Sequence, residues 1–178
     1  VLLLIRAPGR NQKLLLSANP AYPRVHLTDR QYANPLDAPM FCMLLRKHCE
    51  GGVVDAIEQV ELERIIRFRI KQRDEMGDIG VKTIVAELTG RHSNIILLDE
   101  QRGIVLDSIR HVTPAISRHR VVLPGSAYVS PPDQGKTHPF SVDRERFFAQ
   151  VFADGIDSGG PSLGAGAAPE NGAASKEG

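Results

Sequence analysis

Tryptophan is absent from this chain of 178 residues, and aromatic residues make up only 5% of it. The hydrophobic core must therefore be built mainly from aliphatic side chains. Long apolar runs are also lacking, since none approaches the roughly 20 residues that cross a bilayer as a helix. A chain that is 42% hydrophobic and 24% charged has the balance of a globular domain, and we expect no membrane contact.

Cysteine is scarce, with only Cys42 and Cys49 in the chain. Both fall in one predicted helix, about 10 Å apart along its axis, which is too far for a disulfide. The sequence has no CxxC pair and no Cys/His cluster with the spacing of a zinc site. We therefore expect two reduced, buried thiols in a cytoplasmic protein, and we predict neither a metal ion nor a cofactor.

The common catalytic motifs are missing as well, including the P-loop, GxGxxG, GxSxG and HExxH. Glu61 and Glu63 form a carboxylate pair on one face of a predicted strand, where they could act as acid and base. The basic residues that follow on the same face favour a solvated ion-pair surface instead. We predict no catalytic residue and a protein that is not an enzyme.

Positive charge is concentrated in the first two thirds of the chain. Residues 1–120 contain 18 Lys and Arg against 14 Asp and Glu, and 14 of the 18 are Arg. Residues 121–178 contain 4 against 7. Arginine suits phosphate contacts better than lysine does, but an excess this small is also typical of an ordinary solvated surface.

The order of apolar runs predicts an α+β fold. Runs at 1–7, 13–18 and 24–29 indicate three strands, the first two joined as a hairpin. Residues 34–52 predict a helix with Asp37 as its cap, Pro39 in its first turn and Gly51-Gly52 at its end. Runs at 53–62, 64–70, 82–88, 93–100 and 103–112 then predict an antiparallel meander with one solvated face.

Domain boundaries follow from composition. We predict one domain over residues 1–140, a short amphipathic helix in 141–154 and a disordered Gly/Ala/Ser-rich tail over 155–178. The first apolar run begins at Val1 without a preceding basic flank or an initiator Met. We expect the domain to be truncated at its N-terminus.

Two polar stretches are candidate binding sites. After Glu63 and Arg64, the alternation in 65–73 puts four cations about 7 Å apart on one strand face, namely Arg67, Arg69, Lys71 and Arg73. This face could follow a nucleic-acid backbone, although composition alone favours a solvated strand. In "GRHSN", residues 90–94, we expect Ser93 and Asn94 to bond local backbone, His92 to pack against a neighbouring strand and Arg91 to be free for a phosphate.

Several long blocks occur in an order that resembles the N-terminal domain of the NFACT family. They are "NPLDAPMFCMLLRKHCEGG", "ELERIIRFRI", "GRHSNIILLDE", "GIVLDSIRHV" and "SRHRVVLPGSAYVSPPDQGK". The resemblance covers about residues 1–140. It implies a fold similar to the N-terminal domain of formamidopyrimidine-DNA glycosylases, a β-sandwich with a few helices.

The resemblance also implies a role in ribosome-associated quality control. Members such as bacterial RqcH, also labelled fibronectin-binding protein A, bind a large ribosomal subunit obstructed by peptidyl-tRNA. They recruit alanyl-tRNA for untemplated alanine tailing of the stalled chain. The N-terminal domain contributes tRNA contacts, and its Asp-Arg signature matches Glu63-Arg64, where Glu replaces Asp.

The RNA-binding residues expected from this resemblance and from the basic stretches are Glu63, Arg64, Arg67, Arg69, Lys71, Arg73 and Arg91. A glycosylase-type enzyme is an alternative, but its N-terminal Pro and adjacent Glu are not found at Val1-Leu2. A surface adhesin that binds fibronectin is another, although no secretion signal or wall anchor occurs in these residues.

Overall fold

The computed structural model describes residues 1–73, 76–132, 135 and 137–153. The chain divides into two compact units, Val1–Pro132 and Asp133–Gly178. The tail predicted over 155–178 lies outside the described residues.

The first sheet of the first unit contains three antiparallel strands in chain order. They are β1 (Leu2–Ala7), β2 (Arg10–Ser17) and β3 (Arg24–Leu27). Strands β1 and β2 pair as far as Ala7 and Arg10, so that only Pro8 and Gly9 form the turn. Gly9 has a φ of 77°, a conformation that glycine adopts without strain. The predicted hairpin is confirmed, with a tighter turn than expected.

Helix α1 spans Met40–Cys49, and Phe41 and Leu45 are its buried residues. The prediction that Asp37 caps this helix is wrong. Pro39 occupies the N-cap position, with φ −56° and ψ 148°, and no side chain bonds the first turn. The helix starts three residues after Asp37 because the extended backbone of Pro39 leads directly into it. At the other end Gly51 has a φ of 74°, consistent with the predicted stop.

The second sheet has five antiparallel strands in chain order. They are β4 (Val53–Gln59), β5 (Ile65–Arg73), β6 (Ile79–Glu87), β7 (Asn94–Asp99) and β8 (Ile104–Ser108). The predicted meander is confirmed. The register shifts once in β4 and once between β7 and β8, while β5 pairs with β6 without interruption from end to end.

Both faces of the second sheet carry a hydrophobic cluster, so the prediction of one fully solvated face is wrong. One face packs against the first sheet and α1 through Leu14, Leu16, Phe41, Leu45, Phe68, Ile70, Ile84, Ala86, Ile95 and Leu97. The other face has a smaller cluster of Ile65, Val85, Ile96, Leu98, Val105 and Val122. The segment after β8 supplies Val122, and it returns over the sheet through a bridge between Val112 and Val122.

The second unit contains a 3-10 turn, Pro139–Ser141, and helix α2, Arg144–Ala153. The Asp143 carboxylate accepts a bond of 2.7 Å from the amide of Arg146, which satisfies one free donor of the first turn. Phe148 and Phe152 stack with ring centres 5.9 Å apart. With two antiparallel sheets and two helices, the described chain has the α+β fold that the sequence predicts.

Candidate nucleic-acid-binding surface

One end of the second sheet collects cations from two connections between strands and from the segment that follows β8. Ile65 at the start of β5 faces Glu87 at the end of β6, and Glu87 faces Asn94 at the start of β7. Ile96 faces Ser108, so the same register sets Asn94 opposite Arg110. We call this the arginine end, and it includes Glu63, Arg64, Arg91 and Arg110.

Glu63 and Arg64 lie in the turn before β5 and not within a strand. Glu61 has a φ of 45°, and the amide of Glu63 donates to the carbonyl of Val60 over 2.8 Å. This tight turn separates β4 from β5, so the prediction of Glu61 and Glu63 on one strand face is wrong. The carbonyl of Arg64 accepts from the amide of Leu88 over 2.8 Å, which fixes the turn to the end of β6.

The side chains of Glu63 and Arg64 are both exposed. Among the described residues, neither makes an ion pair with the other or with a third residue. A surface ion pair between them, the simpler interpretation of this dipeptide, is therefore absent. Both charged groups remain available to a ligand.

Arg91 lies in a 3-10 turn, Gly90–His92, between β6 and β7. Its side chain is exposed, and its Nε donates to Nε2 of His92 over 3.0 Å. His92 is also exposed, so the prediction that it packs against a neighbouring strand is wrong. The terminal nitrogens of Arg91 have no protein partner in the described part of the chain, which agrees with the expectation of a free cation.

Asn94 is buried, and its side chain bonds the local backbone at Ile95, as expected, and also the distant backbone of Arg110. Its Oδ1 accepts from the amide of Arg110 over 3.0 Å, and its Nδ2 donates to the carbonyl of Arg110 over 2.8 Å. Oδ1 also lies 3.0 Å from the amide of Ile95. Ser93 is buried too, but its hydroxyl has no hydrogen-bond partner in the described structure. The polar stretch thus fixes β7 to the end of β8.

Arg110 is a candidate that the sequence analysis missed. It follows a hydrophobic strand as a single cation, and no periodic pattern distinguishes it. Its exposed side chain donates from Nη1 to the carbonyl of Arg91. The pairing of β7 with β8, which includes a register shift, is what brings Arg110 beside Arg91.

The four cations of β5 alternate along one strand, as predicted, but two of them are neutralised. Lys71 binds the Asp55 carboxylate at 2.7 Å. Arg69 lies 3.8 Å from Asp55 and 3.4 Å from Glu100. The hydrogen bond from Lys71, together with the charges of Lys71 and Arg69, lowers the pKa of Asp55 despite its opposing desolvation. Two cations and two carboxylates leave this middle part of the strand face without net charge.

The outer two cations of β5 have other contacts. The guanidinium of Arg67 lies over the ring of Tyr128, 5.7 Å from its centre, and its Nε is buried without a partner. Arg73, at the opposite end of the strand, donates to the carbonyl of Gly77 over 3.3 Å. The sequence-predicted residues therefore separate into an arginine end, with Glu63, Arg64 and Arg91, and a mostly paired strand.

A buried ion pair supports the sheet face beside the arginine end. Glu87 is fully buried. Its carboxylate accepts from both terminal nitrogens of Arg120 and, over 3.0 Å, from the hydroxyl of Tyr128. Burial and the neighbouring Glu87 charge raise the pKa of Tyr128 to about 12. Sequence reasoning had no signal for this contact, because Glu87 and Arg120 are 33 positions apart.

Within the described residues, no group of three or more His, Cys, Asp or Glu side chains is arranged to hold a metal ion. No helix among them is both long and apolar enough to cross a membrane. Burial raises the pKa of the Cys49 thiol to about 11, which disfavours a reactive thiolate there.

Comparisons with known proteins agree on one family. The family described as NFACT N-terminal and middle domains matches residues 1–158. The Rqc2 homolog RqcH of Bacillus subtilis (strain 168) is 50% identical over 145 residues, which cover 82% of this chain and 25% of that protein. The Rqc2 homolog RqcH of Streptococcus pneumoniae serotype 2 is 37% identical over 148 residues, covering 83% and 27%.

A solved structure with a similar fold is the N-terminal domain of fibronectin-binding protein PavA from Streptococcus pneumoniae. It has a TM-score of 0.76 and 36% identity, and the match covers 85% of this chain and 56% of that one. The chain spans about a quarter of the length of the curated relatives it matches.

Proposed function

We propose that this chain, which belongs to the family of NFACT N-terminal and middle domains, binds tRNA in ribosome-associated quality control. Its partners would be a large ribosomal subunit obstructed by peptidyl-tRNA and an incoming tRNA, alanyl-tRNA in particular. Its contribution would support untemplated alanine tailing of the stalled chain. We place this activity in the cytoplasm and assign the chain a binding role without catalysis of its own.

The observation that carries this proposal is the arginine end of the second sheet. Arg64, Arg91 and Arg110 are exposed there, and none of them makes an ion pair among the described residues. Unpaired guanidinium groups bind phosphate oxygens through two parallel hydrogen bonds. Glu63, beside them, supplies an acceptor that can meet an amino group of a base or a ribose hydroxyl.

Glu63 departs from the family's Asp by one methylene, which moves the carboxylate outward. The turn that holds Glu63 fixes its backbone through Val60 and through Gln59, whose Nε2 donates to the carbonyl of Glu63 over 3.0 Å. The carboxylate itself has no partner in the described residues. A longer, free side chain can therefore still reach a ligand, and we propose that the replacement preserves tailing.

The test replaces Arg64 by Ala in a strain that depends on the protein for tailing. We expect alanine tails on a stalled reporter, measured by mass spectrometry, to fall at least about 5-fold, as the loss of a specific contact implies. Association with large subunits in a sucrose gradient should persist, because other cations still contact the RNA backbone. Glu63→Asp should maintain or increase tailing.

Normal tailing by Arg64→Ala would contradict the assignment of this surface. The alternative of an adhesin that binds fibronectin is supported by the names of similar solved structures, such as that of PavA. Binding of the protein to fibronectin at the cell surface, without sedimentation with large subunits, would support the adhesin alternative.

A further inference from the structure

We propose that Arg110, together with Arg91, forms a binding site for a phosphate group of an RNA backbone, with Asn94 as the residue that positions Arg110. The inference rests on the proposed function, because it adds contacts to the same surface. Neither the family resemblance nor the periodicity of the sequence points to Arg110. Its place in the fold and its hydrogen bonds do.

The backbone of Arg110 is fixed from within the protein. Asn94 is only 1% exposed, and its amide group bonds both the N–H and the carbonyl of Arg110. The carbonyl also accepts from the hydroxyl of Ser108 over 2.9 Å. Three side-chain bonds thus hold the backbone of this one exposed residue, and they reduce the entropy that Arg110 would lose on binding a ligand.

The guanidinium of Arg110 is oriented as well. Its Nη1 donates to the carbonyl of Arg91, which uses one of the five donors of the group. Arg91 in turn donates only from its Nε, to Nε2 of His92. Each arginine therefore keeps terminal N–H groups for a ligand, and the bond between them holds the two residues together. The Arg110 guanidinium is thus held at the backbone of Arg91, and the free terminal N–H groups of both side chains suit the tetrahedral oxygens of a phosphate.

Local carboxylates do not compete for these cations. Glu87 is engaged by Arg120, and Asp107 binds Nε2 of His111 at 2.7 Å. Arg91 and Arg110 form no ion pair in the described residues. The positive charge of both side chains is therefore not neutralised by an ion pair in the described residues, which leaves it available to an anion. The middle of β5 differs in this respect, because Asp55 and Glu100 already neutralise Arg69 and Lys71.

The site continues the surface that contains Arg64. Ile65, Glu87 and Asn94 form one row across β5, β6 and β7, and Arg110, two residues after the end of β8, continues this row through its bonds to Asn94. Neighbouring strands lie about 4.8 Å apart, so the row is about 14 Å long. Arg64 precedes one end of the row, Arg110 is at the other, and Arg91 is in the connection between. The backbones of the three arginines are thus spread along one edge of the sheet, as contact with successive parts of one RNA backbone requires.

The test measures binding of uncharged, fluorescein-labelled tRNA to the 178-residue chain by fluorescence anisotropy. We expect Arg110→Ala to raise the Kd about 5- to 10-fold and to make the slope of log K against log salt shallower by about 1. Arg91→Ala should raise the Kd a few-fold. Arg110→Lys should be intermediate, because it keeps the charge but loses the fork of donors.

Arg102→Ala is the matched control. Arg102 is an exposed arginine in the turn after β7, at the opposite end of the sheet, and its loss changes the net charge equally. We expect its Kd to stay within about 2-fold of wild type. Arg110→Gln removes the charge but keeps a donor for the Arg91 carbonyl, so it separates charge from folding if Arg110→Ala melts early.

The outcomes distinguish this inference from the proposed function. If Arg110→Ala and Arg110→Gln bind like wild type while Arg64→Ala binds weakly, the phosphate site is wrong and the proposed function stands. If Arg102→Ala weakens binding as much as Arg110→Ala, the effect is one of net charge and the site is again wrong. A wild-type chain that does not bind tRNA would contradict both proposals.

Discussion

The charged residues of this chain differ in what holds them, and that difference separates structural residues from candidate ligand contacts. Glu87 and Arg120 are almost completely removed from solvent and bind each other. Arg69 and Lys71 share the surface carboxylates of Asp55 and Glu100. Arg64, Arg91 and Arg110 have no such partners in the described residues. Similar side chains therefore have three different roles, which residue type alone does not reveal.

At the residue scale, we expect Arg120→Ala to destabilise the fold strongly. The substitution leaves the Glu87 carboxylate buried with only the Tyr128 hydroxyl as a partner. Removing one partner of a buried ion pair typically costs about 3–5 kcal/mol. Urea unfolding followed by circular dichroism would measure this as a lower midpoint with an unchanged slope.

Arg118→Ala is the control for this experiment, because Arg118 is an exposed arginine two residues earlier. Its effect on the free energy of unfolding should stay within about 0.5 kcal/mol. If Arg120→Ala unfolded at the midpoint of wild type, Glu87 would have to be stabilised by groups other than Arg120.

At the scale of elements, the sequence predicts most of the strands and less of what connects them. The runs that became β5 to β8 were recognisable because their apolar residues are continuous or alternate, and their starts shift by only one to three residues. The turn before β5 was not predicted, because Glu61 adopts a left-handed backbone conformation that is uncommon for glutamate. This turn moved Glu63 and Arg64 out of the strand to which the pattern assigned them.

The sequence pattern did not predict which residues of different strands contact each other. Alternation predicted that Arg69 and Lys71 share a face, but only the register of β4 with β5 brings Asp55 to them. In the same way, Arg110 becomes a candidate through its pairing with Asn94. Local periodicity determines which face a residue occupies. Which residue of another strand lies beside it depends on turns and bulges, and these were the features predicted least well.

The connection between α1 and β4 gives a prediction at this scale. A Cβ atom on Gly52 would lie 2.7 Å from Cγ2 of Ile70, 3.0 Å from the carbonyl oxygen of Cys49 and 3.1 Å from that of Lys71. Two of these atoms are backbone and cannot rotate away. We expect Gly52→Ala to destabilise the chain by about 1–3 kcal/mol, as overpacking does, measured as a lower melting temperature.

Gly80→Ala is the corresponding control within the same sheet. A Cβ there would meet only Nζ of Lys82 at 3.7 Å and the carbonyl of Gln72 at 3.8 Å, which are ordinary contacts. We expect no loss of stability, and a gain of up to about 1 kcal/mol from the reduced entropy of the unfolded chain. Equal destabilisation by both substitutions would show that the close approach of α1 to β5 at Gly52 is not tight.

For the whole molecule, the formal net charge is only +1, so general electrostatic attraction to RNA is weak. The sequence has a modest excess of cations over residues 1–120, and the fold pairs Arg69, Lys71, Lys82 and Arg120 with carboxylates, so fewer cations are left unpaired. The proposed RNA binding would then depend on the unpaired arginines that the fold places together at the arginine end. This makes the dependence of affinity on salt a measure of how many cations take part.

We therefore expect a shallow salt dependence for tRNA binding by the wild-type chain. Three phosphate contacts, from Arg64, Arg91 and Arg110, give a slope of log K against log salt of about −2 to −3. If the four cations of β5 contributed as well, seven contacts would give about −5 to −6. Anisotropy titrations between about 50 and 200 mM salt resolve this difference. Replacing Arg69 and Lys71 together by Ala should leave the slope unchanged, since Asp55 and Glu100 already neutralise them. A wild-type slope of about −5 or steeper that became shallower in this double variant would instead indicate that the cationic face of β5 binds RNA.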